Sequence, residues 1–276
     1  MPLVHIRTPQ DFALAQEFVS GHETTCVSLA SKIRKNSDSL HFLSRTQRPK
    51  NPDDISGVIH LDSTIYHCIP GPVNPADFLT ADFCPKKPVH CVSGEADASK
   101  LLEDFLARTL GIRPLQVTRY KMLRLRAEKI TLPQVQGEII RCTENDMDLL
   151  RGLQKEYMKE EMMVPGRKIT DAEVSIMLRQ ILRNQLCLAL IFDGEAVAKA
   201  NTNAIGFNCV QIGGVFTNPL YRRNGYAAAL VQTLCLRARR AQKVPVLFVK
   251  EKNDAALSLY QKIGFEECGR YEIAYY

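Results

Sequence analysis

Thr217-Asn-Pro-Leu-Tyr-Arg-Arg-Asn-Gly-Tyr-Ala-Ala-Ala-Leu230, with the apolar run Cys209–Phe216 just before it, decides how this chain is read. A strand ends at Thr217, a turn carries Arg222-Arg-Asn-Gly-Tyr-Ala227, and an alanine-rich amphipathic helix begins. Strand, glycine turn and helix start together build an anion site from backbone alone. Successive free N–H groups point at the ligand, and the positive end of the helix dipole lies behind them. Gly225 lets the backbone approach a phosphate without an intervening Cβ. Ala227 lets the helix pack closely, and Arg222 and Arg223 add charge suited to phosphate. An ordinary connection with solvated arginines would share this local pattern. The spacing is not Gly-x-Gly-x-x-Gly, and no Gly-Lys-Ser/Thr follows, so neither a dinucleotide fingerprint nor a triphosphate loop is indicated.

A second element lies downstream. Val244-Pro-Val-Leu-Phe-Val-Lys250 reads as a strand and leads into Asn253-Asp-Ala-Ala-Leu-Ser-Leu-Tyr-Gln-Lys-Ile-Gly-Phe265. Ala256, Leu259, Tyr260 and Ile263 recur at helical spacing. Asn253 stands where a cap belongs and Gly264 where a helix stops. Arg-x-x-Gly-x-Ala after a strand resembles the pyrophosphate loop of the GNAT superfamily of acyl-CoA-dependent N-acyltransferases. The second element is similar to that superfamily's Asn-x-x-Ala-x-x-x-Tyr-x-x-x-Gly-Phe, matched at Asn253, Ala256, Tyr260, Gly264 and Phe265. The resemblance covers about residues 137–276.

The rest of that half is compatible with the same α/β fold, a mixed, mostly antiparallel sheet with flanking helices. Gly137–Cys142 reads as a first strand. Thr143 caps a helix to about Glu161, with Met147, Leu150, Leu153 and Tyr157 on one face. Thr170-Asp-Ala-Glu173 is a capping box opening a helix through Asn184. Leu186–Phe192 and Glu195–Asn203 flank Asp193-Gly194, a hairpin signal. Phe265–Tyr276 is expected to close the sheet as a hairpin.

Composition sets bounds around this reading. With 276 residues, 45% hydrophobic and 24% charged, the chain is long enough for one large domain or two smaller ones. No apolar run reaches the length of a membrane span, and the start Met1–Asp11 has no basic-then-apolar leader pattern. Nine cysteines without a CxxC pair argue against a disulfide framework or zinc ribbon and for a reducing, cytoplasmic setting. The net charge of +6 divides evenly, with 17 Lys and Arg against 14 Asp and Glu up to Gln136, and 19 against 16 after it. Neither half carries the basic asymmetry of a nucleic-acid binder. The densest basic cluster, Arg237-Ala-Arg-Arg240, falls at a helix end, where cations complement the dipole.

Residues 1–130 form an accessory α/β domain on this reading, joined through the polar stretch Arg126–Gln136 to a catalytic domain at 137–276. Helical patterns cover Asp11–Val19, Thr24–Lys35 and Ala98–Leu110. Strand-like runs cover Leu40–Ser44, Gly57–His60, Thr64–Ile69, Val89–Val92 and Leu115–Leu125. Pro70–Lys87 reads as a long loop with a short helix. The element order echoes that of the second half, so this domain is also readable as a degenerate GNAT-like copy without phosphate loop or tyrosine motif. All six histidines lie here: His5, His22, His41, His60, His67 and His90. None makes a helical zinc motif, and Cys84 and Cys91 read as ordinary thiols, so no metal is expected.

The resemblance implies a transferase: an acyltransferase, specifically an N-acetyltransferase, moving an acetyl group from acetyl-CoA to a primary amine by direct attack on the thioester. It implies cofactor contacts at Val215, Phe216, Thr217, Arg222, Arg223, Asn224, Gly225, Tyr226, Ala227 and Asn253. Val215 and Thr217 would offer backbone donors to the pantetheine arm and thioester. Asn253 either touches that arm or acts only as a cap. Tyr260 is the implied general acid at the leaving sulfur. The strand Cys209–Thr217 lacks the carboxylate that many GNAT enzymes carry there. Glu160, Glu161, a water chain or the carboxylate of Tyr276 are the candidates for the base. Partners expected are acetyl-CoA and an amine acceptor, small molecule or peptide, with no nucleic acid, no membrane and no oligomeric state assigned. Rival readings are a non-catalytic acyl-CoA sensor and a transferase with another acyl donor.

Overall fold

The computed structural model describes residues 1–71, 85, 87–161 and 168–276. Its strands are β1 (Leu3–His5), β2 (Leu40–Ser44), β3 (Ile55–His60), β4 (Thr64–Cys68), β5 (Cys91–Glu95), β6 (Gln116–Leu125), β7 (Glu138–Cys142), β8 (Cys187–Phe192), β9 (Glu195–Ile205), β10 (Cys209–Thr217), β11 (Val244–Lys250) and β12 (Phe265–Tyr275). Its helices are α1 (Pro9–Ser20), α2 (Val27–Arg34), α3 (Ala96–Leu110), α4 (Met147–Glu161), α5 (Asp171–Asn184), α6 (Tyr226–Arg240) and α7 (Asp254–Ile263). The sequence signals operate as expected at several boundaries. Thr170 accepts from the Glu173 N–H in a capping box. Asp193 and Gly194 take positive φ in the turn joining β8 to β9, and Gly264 ends α7 at φ 99°.

Among the described residues one mixed sheet of twelve strands runs through both halves, in the order β1-β2-β3-β4-β5-β12-β6-β11-β10-β9-β8-β7. Each half repeats one plan: a strand, two helices, an antiparallel meander, then a strand parallel to its predecessor. Those parallel pairs are β4 with β5 and β10 with β11. The halves then exchange their last strands. β12 pairs with both β5 and β6, and β6 pairs with both β12 and β11. The expected hairpin at Phe265–Tyr276 is therefore a single strand. It shifts register between Glu267 and Gly269, so the turn-like glycine marks a bulge that bends the strand without reversing it.

Other boundaries differ in smaller ways. β1 adds an edge strand that the sequence reading lacks, and the segment from Thr24 divides into a 3-10 turn (Glu23–Thr25) and α2. The strand expected at Val89–Val92 lies at Cys91–Glu95. Most of the Pro70–Lys87 loop lies outside the described residues.

Alternation along the strands assigns helices to the two faces. Phe42 and Val58 pack with α1 and α2, while Leu43, Ile59 and Ala274 pack with α3. Leu247 and Val249 pack with α6 and α7, and Cys187 and Ala189 with α4 and α5. Val27 of α2 reaches Ala204, Cys209 and Val246 on the second half's strands. The buried carboxylate of Glu23 accepts from the Asn208 N–H (2.8 Å) and the Cys209 N–H (3.0 Å), and Ser28 Oγ donates to Gln211 Oε1 (3.3 Å). Arg239, in the basic cluster at the end of α6, donates to the carbonyls of Ala127 and Glu128, strapping the connecting segment to α6.

A carboxyl pair ties α3 to the exchanged strands. Glu272 on β12 is buried and accepts from Arg119 Nε on β6 at 3.0 Å. Burial first, then the hydrogen bond and like charge of Glu272, push the Glu103 carboxyl up to about 7. A carboxyl raised on folding stabilises the fold in its protonated form. That contribution is complete below pH about 4.5 and is lost as pH rises through about 7. Glu103→Gln is therefore expected to raise urea midpoints at pH 8 and to leave them nearly unchanged at pH 4.5. Equal midpoints for both proteins at pH 8 would count against the shared proton.

Candidate active site

The site begins where two strands separate. β10 and β11 pair in parallel from Cys209↔Val244 to Ile212↔Leu247, and no register pairing continues beyond. Immediately afterwards β10 bulges against β9: Gly213 pairs with Asn201 and Phe216 with Lys199, leaving Gly214 and Val215 as the irregular step. Gly214 takes φ 58°, and a Cβ there would collide with the Asn201 carboxamide. The bulge reverses the facing of side chains. Val215 stays with the α6–α7 core, whereas Phe216 meets the Tyr157 ring of α4 edge-on at 6.4 Å.

Below the gap, Pro219–Tyr221 makes a 3-10 turn, Arg223 is left-handed at φ 67°, and Gly225 at φ 79° is the N-cap of α6. Among the described residues no side chain caps this helix, so its first N–H groups have neither an intrahelical acceptor nor a capping oxygen from them. The contrast is with α1, α5 and α7, capped by Thr8, Thr170 and Asn253. The Gly225 Cβ position lies 3.4 Å from Val135 Cγ1. Thr217 Oγ1 is buried with no hydrogen-bond partner among the described residues. An uncapped helix start under a left-handed glycine, with exposed Arg223 and Asn224 beside it, is suited to a diphosphate.

The structure distributes the remaining sequence candidates unevenly. Arg222 is committed to protein partners. Its Nε donates to the Thr217 carbonyl at 3.2 Å, and its Nη2 donates to both Glu160 oxygens at 2.7 and 3.0 Å. Glu161 pairs with Lys250 Nζ at 2.8 Å. The side chain of Tyr226 is buried in the core with Leu230, and its backbone opens the helix. Asn253 Oδ1 accepts from the Ala256 N–H at 3.1 Å, which makes it a cap. The Tyr276 N–H donates to the His90 carbonyl, and its ring packs beside the α3 cluster of the first half. His60 and His67 stand at adjacent positions of β3 and β4 on opposite faces. His67 bonds Ser99 Oγ at 2.9 Å, and burial pushes it down to about 3.

Tyr260 is 7% exposed, with its ring edge-on to Phe265. Burial raises its hydroxyl pKa well above the ordinary tyrosine value, with further contributions from Tyr157 and Glu161. Tyr157 is raised by burial and then by Glu161, while a hydrogen bond with the Gly214 backbone opposes the rise. Tyr120 of β6 is raised by burial and also feels Tyr275, Tyr157 and Glu161. Thus one electrostatic neighbourhood joins Tyr260 and Glu161 to Tyr157, Tyr120 and Tyr275, the last hydrogen-bonded to Tyr120. Sequence reasoning missed Tyr120, Tyr157 and Lys199 as site residues. Tyr157 and Lys199 sat inside amphipathic patterns that read as helix face and strand. A lysine amid the small residues Ala198, Ala200 and Asn201 was the available signal.

Comparison with known proteins gives the frame for this geometry. Residues 150–265 match the model of the Acetyltransferase (GNAT) family. A Drosophila protein of known structure matches 99% of this chain and 99% of its own at 12% identity, with a TM-score of 0.69, so the two-part sheet recurs over the full length. A GNAT-family protein from Novosphingobium aromaticivorans matches 59% of this chain and 65% of its own at 20% identity (TM-score 0.47). A Clostridium acetobutylicum protein described as a predicted acetyltransferase, solved with acetyl-CoA, matches 48% of this chain and 90% of its own at 20% identity (TM-score 0.40). No curated protein sequence matches the chain. The separated parallel strands, the glycine-started helix and the matched motif span together make the carboxy-terminal half of this chain a domain of the GNAT superfamily.

Proposed function

We propose that the chain is an acetyl-CoA-dependent N-acetyltransferase in which a primary amine attacks the thioester directly. The observation that carries this reading is the gap after Ile212↔Leu247, lying directly before the uncapped start of α6. On this reading the N–H groups following Gly225, with Arg223, Asn224 and Ala227, take the diphosphate. Val215, Phe216 and Thr217 line the pantetheine arm. The amine nitrogen forms a bond to the thioester carbon, the C–S bond breaks, and the sulfur leaves as thiolate. Tyr260 stands as the donor to that sulfur, since burial keeps its hydroxyl protonated. Glu161 serves better than Glu160 as proton acceptor, because both Glu160 oxygens accept from Arg222.

The first half is proposed as an accessory unit that contributes Tyr120 to the acceptor side. The cysteines at described positions are all unbridged, and no helix among the described residues is long and apolar enough to cross a membrane. A cytoplasmic setting is part of this proposal.

The test is CoA release from acetyl-CoA over a panel of amines, amino acids and peptides, with Tyr260→Phe alongside. Acceptor-dependent release, reduced about a hundredfold in the variant at similar acetyl-CoA affinity, is the expected result. One observation favours an acyl-CoA sensor instead: β10 carries no carboxylate. Tight acetyl-CoA binding with no turnover on any acceptor would select the sensor.

A further inference from the structure

Lys199 is a fully buried lysine, 0% exposed, on β9. Its Nζ donates to the Gly214 carbonyl at 3.0 Å, lies 3.5 Å from Asn201 Oδ1, and stands 4.6 Å from the centre of the Tyr157 ring. Asn201 is itself held, donating to the Thr202 carbonyl (2.9 Å) and to Asn203 Oδ1 (3.0 Å). The Gly214 backbone also bonds the Tyr157 hydroxyl. The bulged residue is therefore gripped twice, by α4 through Tyr157 and by β9 through Lys199.

The grip fixes the next peptide group. Every described peptide bond is trans, so the Gly214 C=O and the Val215 N–H point in opposite directions. With the carbonyl drawn toward Lys199 on β9, the Val215 N–H points away from β9, to the side where β11 has left β10. A cation on a peptide oxygen also polarises that peptide and strengthens its N–H as a donor. We infer that Lys199 is a positioning residue for acyl transfer: by holding the Gly214 carbonyl it aims the Val215 N–H into the strand gap as donor to the thioester oxygen. This rests on the acetyl-CoA reading above. It accounts for a buried cation that lies among Asn201, Tyr157 and a glycine bulge and forms no ion pair with a carboxylate among the described residues.

The experiment compares acetyl-CoA with S-ethyl-CoA, a thioether lacking the carbonyl, by calorimetry on the full chain. The infrared carbonyl band of bound 1-13C-acetyl-CoA is recorded alongside. Wild type is expected to bind both ligands and to shift the carbonyl band to lower wavenumber than in water. Lys199→Met is expected to leave S-ethyl-CoA affinity within twofold and to weaken acetyl-CoA about fivefold. In the same variant the band returns toward its solution position. Lys199→Gln is read in the same way should the methionine variant not fold. An unchanged band and an unchanged affinity ratio in the variants would overturn the role of Lys199 alone. A wild type that binds neither ligand would overturn the acetyl-CoA reading beneath it.

Discussion

Gly225→Glu is expected to lower coenzyme A affinity by about a hundredfold or more while the protein stays folded. The glycine starts α6 at φ 79°, so any side chain there carries left-handed strain. A glutamate adds a carboxylate at the positive end of the helix, the place proposed for the diphosphate. That charge suits the helix dipole and offsets part of the strain, so loss of ligand and loss of fold are separable. Gly225→Ala is the control. Its Cβ lies at ordinary contact distance, 3.4 Å from Val135 Cγ1, and it brings strain without charge. Calorimetric titration with CoA decides the matter, and retained micromolar affinity in the glutamate variant would refute the phosphate-loop assignment.

The second large effect concerns stability. Glu23 is 2% exposed and binds the backbone N–H groups of Asn208 and Cys209 in the turn between β9 and β10. Lys243 Nζ donates to the carbonyls of Gly206 and Phe207 in the same turn. Glu23→Ala removes the acceptor and leaves the buried Cys209 N–H and the part-buried Asn208 N–H without it, at a cost of about 2 kcal/mol. Glu23→Gln retains one oxygen and is expected to lose less. Urea unfolding monitored by circular dichroism measures both, and an alanine variant as stable as wild type would show that the turn does not depend on this bond.

The second half was legible because its signals are local. Thr170, Asp193-Gly194, Gly225 and Gly264 each specify a backbone state within a few residues, and the structure has a cap, turn or helix end at each. The exchange of β6 and β12 was not legible. Strand partners distant in sequence are chosen by the shared apolar faces of the assembled sheet, and no short pattern encodes them. The same limit applies to the site. Arg222–Ala227 forms one contiguous motif, whereas Lys199, Gly214 and Tyr157 meet only when β9, β10 and α4 stack. Within their own segments they are a lysine in a strand, a glycine in a bulge and a tyrosine on an apolar helix face.

The place of β12 between β5 and β6 has a consequence for how the protein comes into being. During synthesis β6 emerges before either of its neighbours, β11 and β12, exists. The open edge of β5 must likewise wait for the strand that follows every other element in chain order. The first half therefore passes through a period with exposed ladder groups ready to pair with another chain. Cutting the backbone between 130 and 137 would not give two independent modules. It would give two fragments that each hold a strand the other requires, a complementing pair whose assembly reports on itself.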